Sequence, residues 1–152
     1  MISYAAYKRE AEDGYSLRGA LFIRGPGIQP QDFTRNTNVH VLVWTCKTQR
    51  HVTRSTFAAE LLGLADATDQ GFLLSHMLFE IERGPVSAKE ARDRRMENGY
   101  LPMSISLDAK SVYAAISATF IKQPAEKSLL RHVQYVRELI AVSYTHLRAH
   151  ET

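Results

Sequence analysis

Apolar residues alternate with polar or small residues in three segments near the start of the chain, a spacing typical of β-strands. The predicted strands cover residues 2–7, 17–24 and 39–47. The connections between them contain no helical pattern, and the second connection is rich in proline and glycine. Because consecutive strands without intervening helices usually pair as neighbours, we predict a three-stranded antiparallel meander.

The spacing of apolar residues becomes helical after the third strand. Ser55 is a candidate N-cap for a long helix, which Gly84 and Pro85 end. Ser87 and Glu90 have the spacing of a capping box, which predicts the start of a short charged helix. The pattern then predicts a fourth strand and two helices, at residues 103–108, 109–118 and 126–140. This order indicates an α/β fold with helices packed on a mixed sheet.

Two carboxylates stand out from the apolar pattern, one within the long helix and one at the end of the fourth strand. Glu60 lies between Phe57, Leu61 and Leu64 on one side of the long helix, and Asp108 ends the fourth strand. A buried carboxylate without a partner costs several kcal/mol, so Glu60 has a partner, reaches water or binds a cation. Carboxylates at a strand end and a helix start can converge on a hard divalent cation such as Mg²⁺. The alternatives are a glutamate favoured by the dipole at the helix start and an aspartate that caps the following helix.

The composition narrows the class of protein. The 152 residues suffice for one domain with its own core. There are 19 basic and 16 acidic residues, and the net charge of +3 permits a nucleic-acid partner without requiring one. Cys46 is the only cysteine, so the sequence offers neither an internal disulfide nor a zinc-binding spacing. No apolar run approaches the length of a membrane span and no export signal is visible, so we expect no membrane partner and no secretion.

The last residues, 142–152, differ from the rest of the chain. They break the helical pattern and resemble, over their whole length, a translated frame of a transposase-type sequencing adaptor. We therefore expect residues 142–152 to be a non-biological tail. Residues 1–141 are then expected to form a domain that is truncated at its C-terminus, and also at its N-terminus because Met1 opens directly onto a strand.

Three segments in order resemble the ribonuclease H (RNase H) domain of copia-type retrotransposon Pol polyproteins. VWTCKTQ at 43–49, followed by RSTFAAE at 54–60, is similar to the family's Trp, Lys and Gln pattern and its Ser/Thr-x-x-Ala-Glu helix start. LDAKS at 107–111 is similar to the family's Asp-Asn-Gln-Ser-Ala box, and residues 127–138 are similar to a later helix. The resemblance extends over most of the chain. It implies an RNase H-like mixed sheet, with the antiparallel meander, a parallel fourth strand and the fifth strand missing.

The same resemblance implies a metal site. Glu60 and Asp108 match two metal-binding catalytic residues of the family, which uses two Mg²⁺ ions to hydrolyse the RNA strand of an RNA–DNA hybrid. The family's first strand carries Ser-Asp-Ala, whose aspartate bridges both ions, but here Tyr4 follows Ser3. A phenol is neutral at neutral pH and cannot replace a bridging carboxylate. We therefore expect hydrolysis to be impaired in this copy.

The resemblance also implies partners. They are an RNA–DNA hybrid and the reverse transcriptase domain of the same polyprotein, in a cytoplasmic retroelement particle or in the nucleus. Lys47, Arg50 and Arg54 are candidate contacts to the nucleic-acid backbone, and the alternative is a solvated basic loop. A different class of function is a catalytically silent RNase H-like connection or tether module, which binds a hybrid without cutting it. A further alternative is a decayed element from which no protein is made.

Overall fold

The computed structural model describes residues 2–6, 16–25, 38–49, 55–97, 101, 103–120, 127–142 and 145–149. The elements are β1 (Ile2–Ala6), β2 (Leu17–Arg24), β3 (His40–Thr48), α1 (Thr56–Arg83), α2 (Ala88–Glu97), β4 (Met103–Leu107), α3 (Lys110–Ser117), α4 (Leu129–Val142) and β5 (Thr145–Ala149). The first eight elements have the type and order that the apolar spacing predicts. No helix in the described part of the chain is long and apolar enough to cross a membrane.

The strands form one sheet in the order β3-β2-β1-β4-β5. β1 and β3 each pair with β2 in the antiparallel direction, so the predicted meander is confirmed. β4 runs parallel to β1, with Ile2 opposite Ser106 and Ser3 opposite Leu107. Because parallel strands end at the same edge of a sheet, the carboxyl ends of β1 and β4 lie side by side.

The expectation that the fifth strand is missing is wrong for this chain. β5 pairs with β4 in the parallel direction, from Thr145 opposite Met103 to Ala149 opposite Leu107. Strand pairing uses backbone N–H and C=O groups, and every residue except proline carries both. Without β5, the groups on the side of β4 away from β1 would be unpaired at a sheet edge. The apolar pattern could not reveal a strand formed in this way. The adaptor-like origin of residues 142–152 stays a prediction.

Local signals in the sequence fix the ends of α1 and the start of α2. The Ser55 hydroxyl accepts a hydrogen bond from the backbone N–H of Ala58 at 3.1 Å, as expected of an N-cap. Gly84 ends α1 with a φ of 93°, a conformation that glycine adopts without strain. The Ser87 hydroxyl accepts from the backbone N–H of Glu90 at 3.2 Å, which confirms one half of the predicted capping box.

The helices α1, α3 and α4 pack together with β4. Their buried apolar side chains include Leu61, Leu64, Ile105, Leu107, Val112, Ile116, Leu129, Val133 and Val136. A second cluster of Ala20, Phe22 and Ala67 joins α1 to β2. Burial of this apolar area is the main term that stabilises the packing of helices on the sheet.

Two large apolar side chains of β3 are exposed. Val41 is 60% exposed and Trp44 is 72% exposed, and they pair with Ile23 and Leu21 of β2. Leu21 and Ile23 alternate with Ala20 and Phe22, which pack with Ala67 of α1, so they lie on the other face of the sheet. A register shift between Phe22 and Ile23 brings Val41 and Trp44, which are three residues apart, to that same face.

Candidate functional site

Gln49 connects the end of β3 to the start of α1. The side chain of Gln49 is buried, with 3% of its surface exposed. Its backbone N–H donates to the carbonyl of Ser16 at 2.7 Å, and its Nε2 donates to the carbonyl of Ala59 at 2.7 Å. Because Ala59 directly precedes Glu60, these two hydrogen bonds restrain the backbone beside that glutamate.

The other side-chain atom of Gln49 is unsatisfied. Its Oε1 is buried and has no hydrogen-bond partner within the described residues. A buried acceptor without a partner costs on the order of 1–3 kcal/mol. Among the described residues, the Gln49 side chain is therefore held by its Nε2 alone.

Glu60 is the fifth residue of α1 and is half-buried. Its neighbours Ala59 and Leu61 are completely buried, so the carboxylate lies at the margin of the core. Glu60 has an interaction partner in the structure and is not an orphaned charge. The first turn of α1 contains no acidic residue, and Glu60 lies just beyond it. The alternative of a rim glutamate near the helix N-terminus, favoured by the helix dipole, stays a prediction.

Asp108 follows β4 and is exposed. The N-cap of α3 is Ala109, and no side chain caps that helix. The alternative in which Asp108 serves as the N-cap is therefore wrong. Within the described ranges, Asp108 makes no hydrogen bond or ion pair.

Residues next to each of the two carboxylates belong to one buried cluster. Leu107 and Ala109, which flank Asp108, pack in the same cluster as Leu61, which follows Glu60. This cluster joins α1 to β4. The convergence of Glu60 and Asp108 at one edge of the sheet stays a prediction.

The two carboxylates fit only part of a cation site. Oxygen ligands are those that Mg²⁺ prefers, and Mg²⁺ usually takes one or two protein carboxylates together with water and substrate phosphates. The described residues contain no group of three His, Cys, Asp or Glu side chains that could hold a metal ion. An ion held by Glu60 and Asp108 would need its remaining ligands from water and phosphate.

The backbone register places Tyr4 near Asp108. Tyr4 pairs with Gly19 of β2, and Ser3 is opposite Leu107 in the parallel pairing with β4. Tyr4 is therefore one residue beyond Ser3 along β1, as Asp108 is one residue beyond Leu107. The side chains of β1 are not among those described.

Of the three basic residues predicted to contact a nucleic-acid backbone, only Lys47 is among the described residues. Lys47 is exposed near the end of β3 and pairs across the ladder with Arg18. Arg18 forms an ion pair with Asp66 of α1. Arg50 and Arg54 lie outside the described residues, so their role as backbone contacts stays a prediction.

No family model and no curated protein sequence matches this chain. Among solved structures, it resembles the crystal structure of RNase H1 from the halophilic archaeon Halobacterium salinarum NRC-1. The TM-score is 0.54 at 12% sequence identity, over 99% of this chain and 82% of that one. At this identity the likeness shows the fold alone. The chain has an RNase H-like α/β fold, as the sequence predicts.

Proposed function

We propose that the chain is the RNase H domain of a copia-type retroelement Pol polyprotein, that it binds RNA–DNA hybrids and that hydrolysis is impaired in this copy. The observation that carries this proposal is the position of Glu60 and Asp108. Glu60 lies near the start of α1 and Asp108 follows β4, and their neighbours Leu61 and Leu107 belong to one buried cluster of an RNase H-like fold. In this proposal both carboxylates face the same edge of the sheet. Ligands of α/β proteins bind outside the carboxyl ends of the strands, which is where this edge lies.

In this proposal Glu60 and Asp108 would be the protein residues that hold Mg²⁺. When bound, the ion supplies positive charge to the phosphoryl oxygens and lowers the pKa of a coordinated water. The chain's own contribution is position. Buried neighbours restrict Asp108 and Glu60, and the hydrogen bond from Gln49 to Ala59 limits movement of the first turns of α1.

Tyr4 supports the proposal that hydrolysis is impaired. The register of β1 and β4 brings the backbone of Tyr4 to the level of Asp108, at the position that a carboxylate occupies in the family that the sequence resembles. A neutral phenol contributes no formal charge to an ion held there.

The second candidate is a silent RNase H-like module that binds nucleic acid without cutting it. The observation in its favour is that the described residues offer no group of three metal-ligating side chains. Both candidates predict binding of a hybrid. They differ in whether Glu60 and Asp108 contribute to a response to Mg²⁺.

The remaining parts of the proposal are the partners and the location. The reverse transcriptase domain of the same polyprotein is the proposed protein partner, in a cytoplasmic particle or in the nucleus. The net charge of +3 is compatible with contact to a polyanion.

The proposal is tested by measuring the affinity of the chain for short duplexes of one sequence, made as RNA–DNA hybrid, double-stranded DNA and double-stranded RNA. Fluorescence anisotropy is recorded at several salt concentrations, because counterion release contributes to all three. We expect the hybrid to bind several-fold more tightly than either uniform duplex at each salt concentration, since its groove shape and 2′-hydroxyls differ from both. Equal affinities that fall together with salt, or no binding, would contradict the proposal.

A further inference from the structure

The face of the β2–β3 ladder that points away from α1, called the outer face below, has no charged residue. It consists of four cross-strand pairs: Ile23 with Val41, Leu21 with Trp44, Gly19 with Cys46, and Leu17 with Thr48. An antiparallel sheet that faces water on one side normally carries polar side chains on that side. The outer face therefore has the opposite character from a surface that only contacts water.

The charged side chains of the two strands lie on the other face. Arg18 is opposite Lys47 in the ladder, one residue out of step with the pairs of the outer face. Arg18 and Arg24 form ion pairs with Asp66 and Glu82 of α1, so their side chains point toward that helix. The two strands thus direct their charges toward α1 and their uncharged residues away from it.

The apolar side chains of the outer face are open to solvent at the edge of the sheet. β3 is the first strand of the order β3-β2-β1-β4-β5. Val41 is 60% exposed and Trp44 is 72% exposed. Tryptophan offers a large rigid contact area and is enriched among the residues that contribute most to binding at interfaces. A contiguous apolar surface around Trp44 therefore indicates an interaction site.

The absence of charge on the outer face limits which partner fits it. Nucleic acids and charged peptides are recognised by groups of the opposite charge, and the eight residues of the outer face supply none. The fitting partner is another flat, uncharged, apolar surface. A second copy of the chain presents such a surface, and a twofold axis lets the two outer faces meet without opposing like charges.

A second exposed apolar surface lies on α1 within the described residues. Leu73, Met77 and Ile81 follow each other at helical spacing and are at least half exposed. Asp69 and Glu80 are within one helical turn of this stripe, so it carries charge that the outer face lacks. A contact between the outer face of one copy and this stripe of another would be heterologous, which builds rings or open chains and not a twofold dimer.

We propose that two copies of the chain associate through the outer faces of β2 and β3 as a twofold dimer of packed sheets. The eight residues of β2 give a ladder about 27 Å long and, over two strands, about 10 Å wide, so each copy contributes about 270 Å². Stable complexes bury about 800 Å² on each partner. The dimer is therefore weak and forms at high protein concentration. It does not rest on the proposed function, because Glu60 and Asp108 take no part in it.

The first experiment measures the dissociation constant of the dimer by sedimentation equilibrium of the full chain up to millimolar concentration. Val41→Thr keeps the shape and the strand preference of the side chain and should raise the constant about tenfold or more, because the change occurs twice at a twofold interface. Met77→Gln removes an exposed apolar side chain from α1 and should leave the constant unchanged. A chain that stays monomeric throughout, equal effects of the two variants, or species larger than a dimer would overturn the proposal.

The second experiment locates the interface through Cys46, which is the only cysteine and is exposed on the outer face. In the proposed dimer both Cys46 thiols lie between sheets about 10 Å apart, within reach of a short bis-maleimide reagent. The yield of cross-linked dimer should rise with protein concentration and fall in Trp44→Thr.

Two cysteine variants control this experiment. Cys46→Ser should lose the cross-link and keep the dimer in sedimentation. Cys46→Ser combined with Met77→Cys moves the thiol to the exposed stripe of α1 and should give little cross-linked dimer. Equal yields from Cys46 and from the thiol at position 77 would contradict an interface on the outer face.

Discussion

The backbone of Tyr4 lies at the level of Asp108 along the sheet, next to the proposed cation site of Asp108 and Glu60. A carboxylate at this position would add a third oxygen ligand for a divalent cation. It would also add a third negative charge, which is tolerable only when a cation is bound. The chemistry of the edge therefore depends on one side chain in β1.

Replacing Tyr4→Asp tests this dependence. We expect the unchanged chain to show little Mg²⁺-dependent cleavage of an RNA–DNA hybrid, and Tyr4→Asp to raise the rate by about tenfold or more, since each 1.4 kcal/mol of transition-state stabilisation is a factor of ten. The measurement is the release of a labelled RNA fragment with Mg²⁺ and with EDTA. Tyr4→Phe is the matched control and should stay at background.

A contaminating nuclease would not follow changes in the proposed ligands. Adding Glu60→Gln to Tyr4→Asp should return the rate to background. Cleavage by the unchanged chain that depends on Glu60 would show that Tyr4 does not impair the site.

The sequence alone identifies Glu60 and Asp108 as candidate ligands, but it does not reveal the hydrogen bond that Gln49 makes. Glu60 interrupts an apolar stripe and Asp108 ends a strand, and both features are visible in the order of residues. Gln49 appears in the sequence only as part of the family-like motif. Its structural role is the hydrogen bond to the carbonyl of Ala59, which comes close to the Gln49 side chain only in the folded chain. A buried polar side chain needs a hydrogen-bond partner, and the sequence alone does not show which residue supplies it.

At the level of elements, α1 was predictable because its ends are encoded locally. Ser55 caps the first turn and Gly84 ends the last one, and each acts on residues within a few positions. β5 was not predictable from the same kind of pattern. Its formation depends on the free edge of β4, about forty residues earlier in the chain.

The connection between β3 and α1 is tested by Gln49→Glu, a substitution that keeps the shape of the side chain. An ionised glutamate has no donor for the carbonyl of Ala59 and buries a charge, so we expect a loss of about 3 kcal/mol or more in the free energy of unfolding at neutral pH. Chemical denaturation measures this loss. Gln134→Glu, at an exposed position on α4, is the matched control and should change stability little.

The destabilisation by Gln49→Glu should depend on pH. Burial raises the pKa of the introduced carboxyl in the folded state, so its protonated form is favoured there. Stability should approach that of the unchanged chain below about pH 4, where the carboxyl is neutral in both states, and should fall as pH rises above that value. A pH-independent loss would show that ionisation of the introduced carboxyl is not the cause.

At the level of the whole molecule, the order of strands and helices predicted an α/β fold with helices on a mixed sheet, and the resemblance of three segments implied its RNase H-like form. The order of strands in space and the pairing of β5 required the structure. The helices α1, α3 and α4 pack together with β4. On β3, Val41 and Trp44 are exposed, and their partners Ile23 and Leu21 in β2 are half-buried. Exposed apolar patches of this kind promote association.

Trp44→Thr tests the consequence of this patch. Threonine keeps the β-strand preference while removing a large apolar surface, so self-association at high concentration should decrease. Sedimentation velocity measures the fraction of larger species. Leu73→Gln, which removes an exposed apolar side chain from α1, is the control and should have a smaller effect. An equal effect of the two substitutions would indicate nonspecific association through any exposed apolar side chain, and not association through the patch on β2 and β3.

The central claim is that Glu60 and Asp108 share a divalent cation beside the phosphate backbone. Its most direct test is the affinity for a non-cleavable RNA–DNA hybrid with EDTA and with Mg²⁺ at matched ionic strength. The unchanged chain should bind more tightly with Mg²⁺, because the ion replaces repulsion between carboxylates and phosphate with attraction. The double variant Glu60→Gln, Asp108→Asn should bind more tightly than the unchanged chain in EDTA and should lose the gain from Mg²⁺, whereas Asp93→Asn on α2 should change neither. An unaltered response of the double variant to Mg²⁺ would contradict the claim.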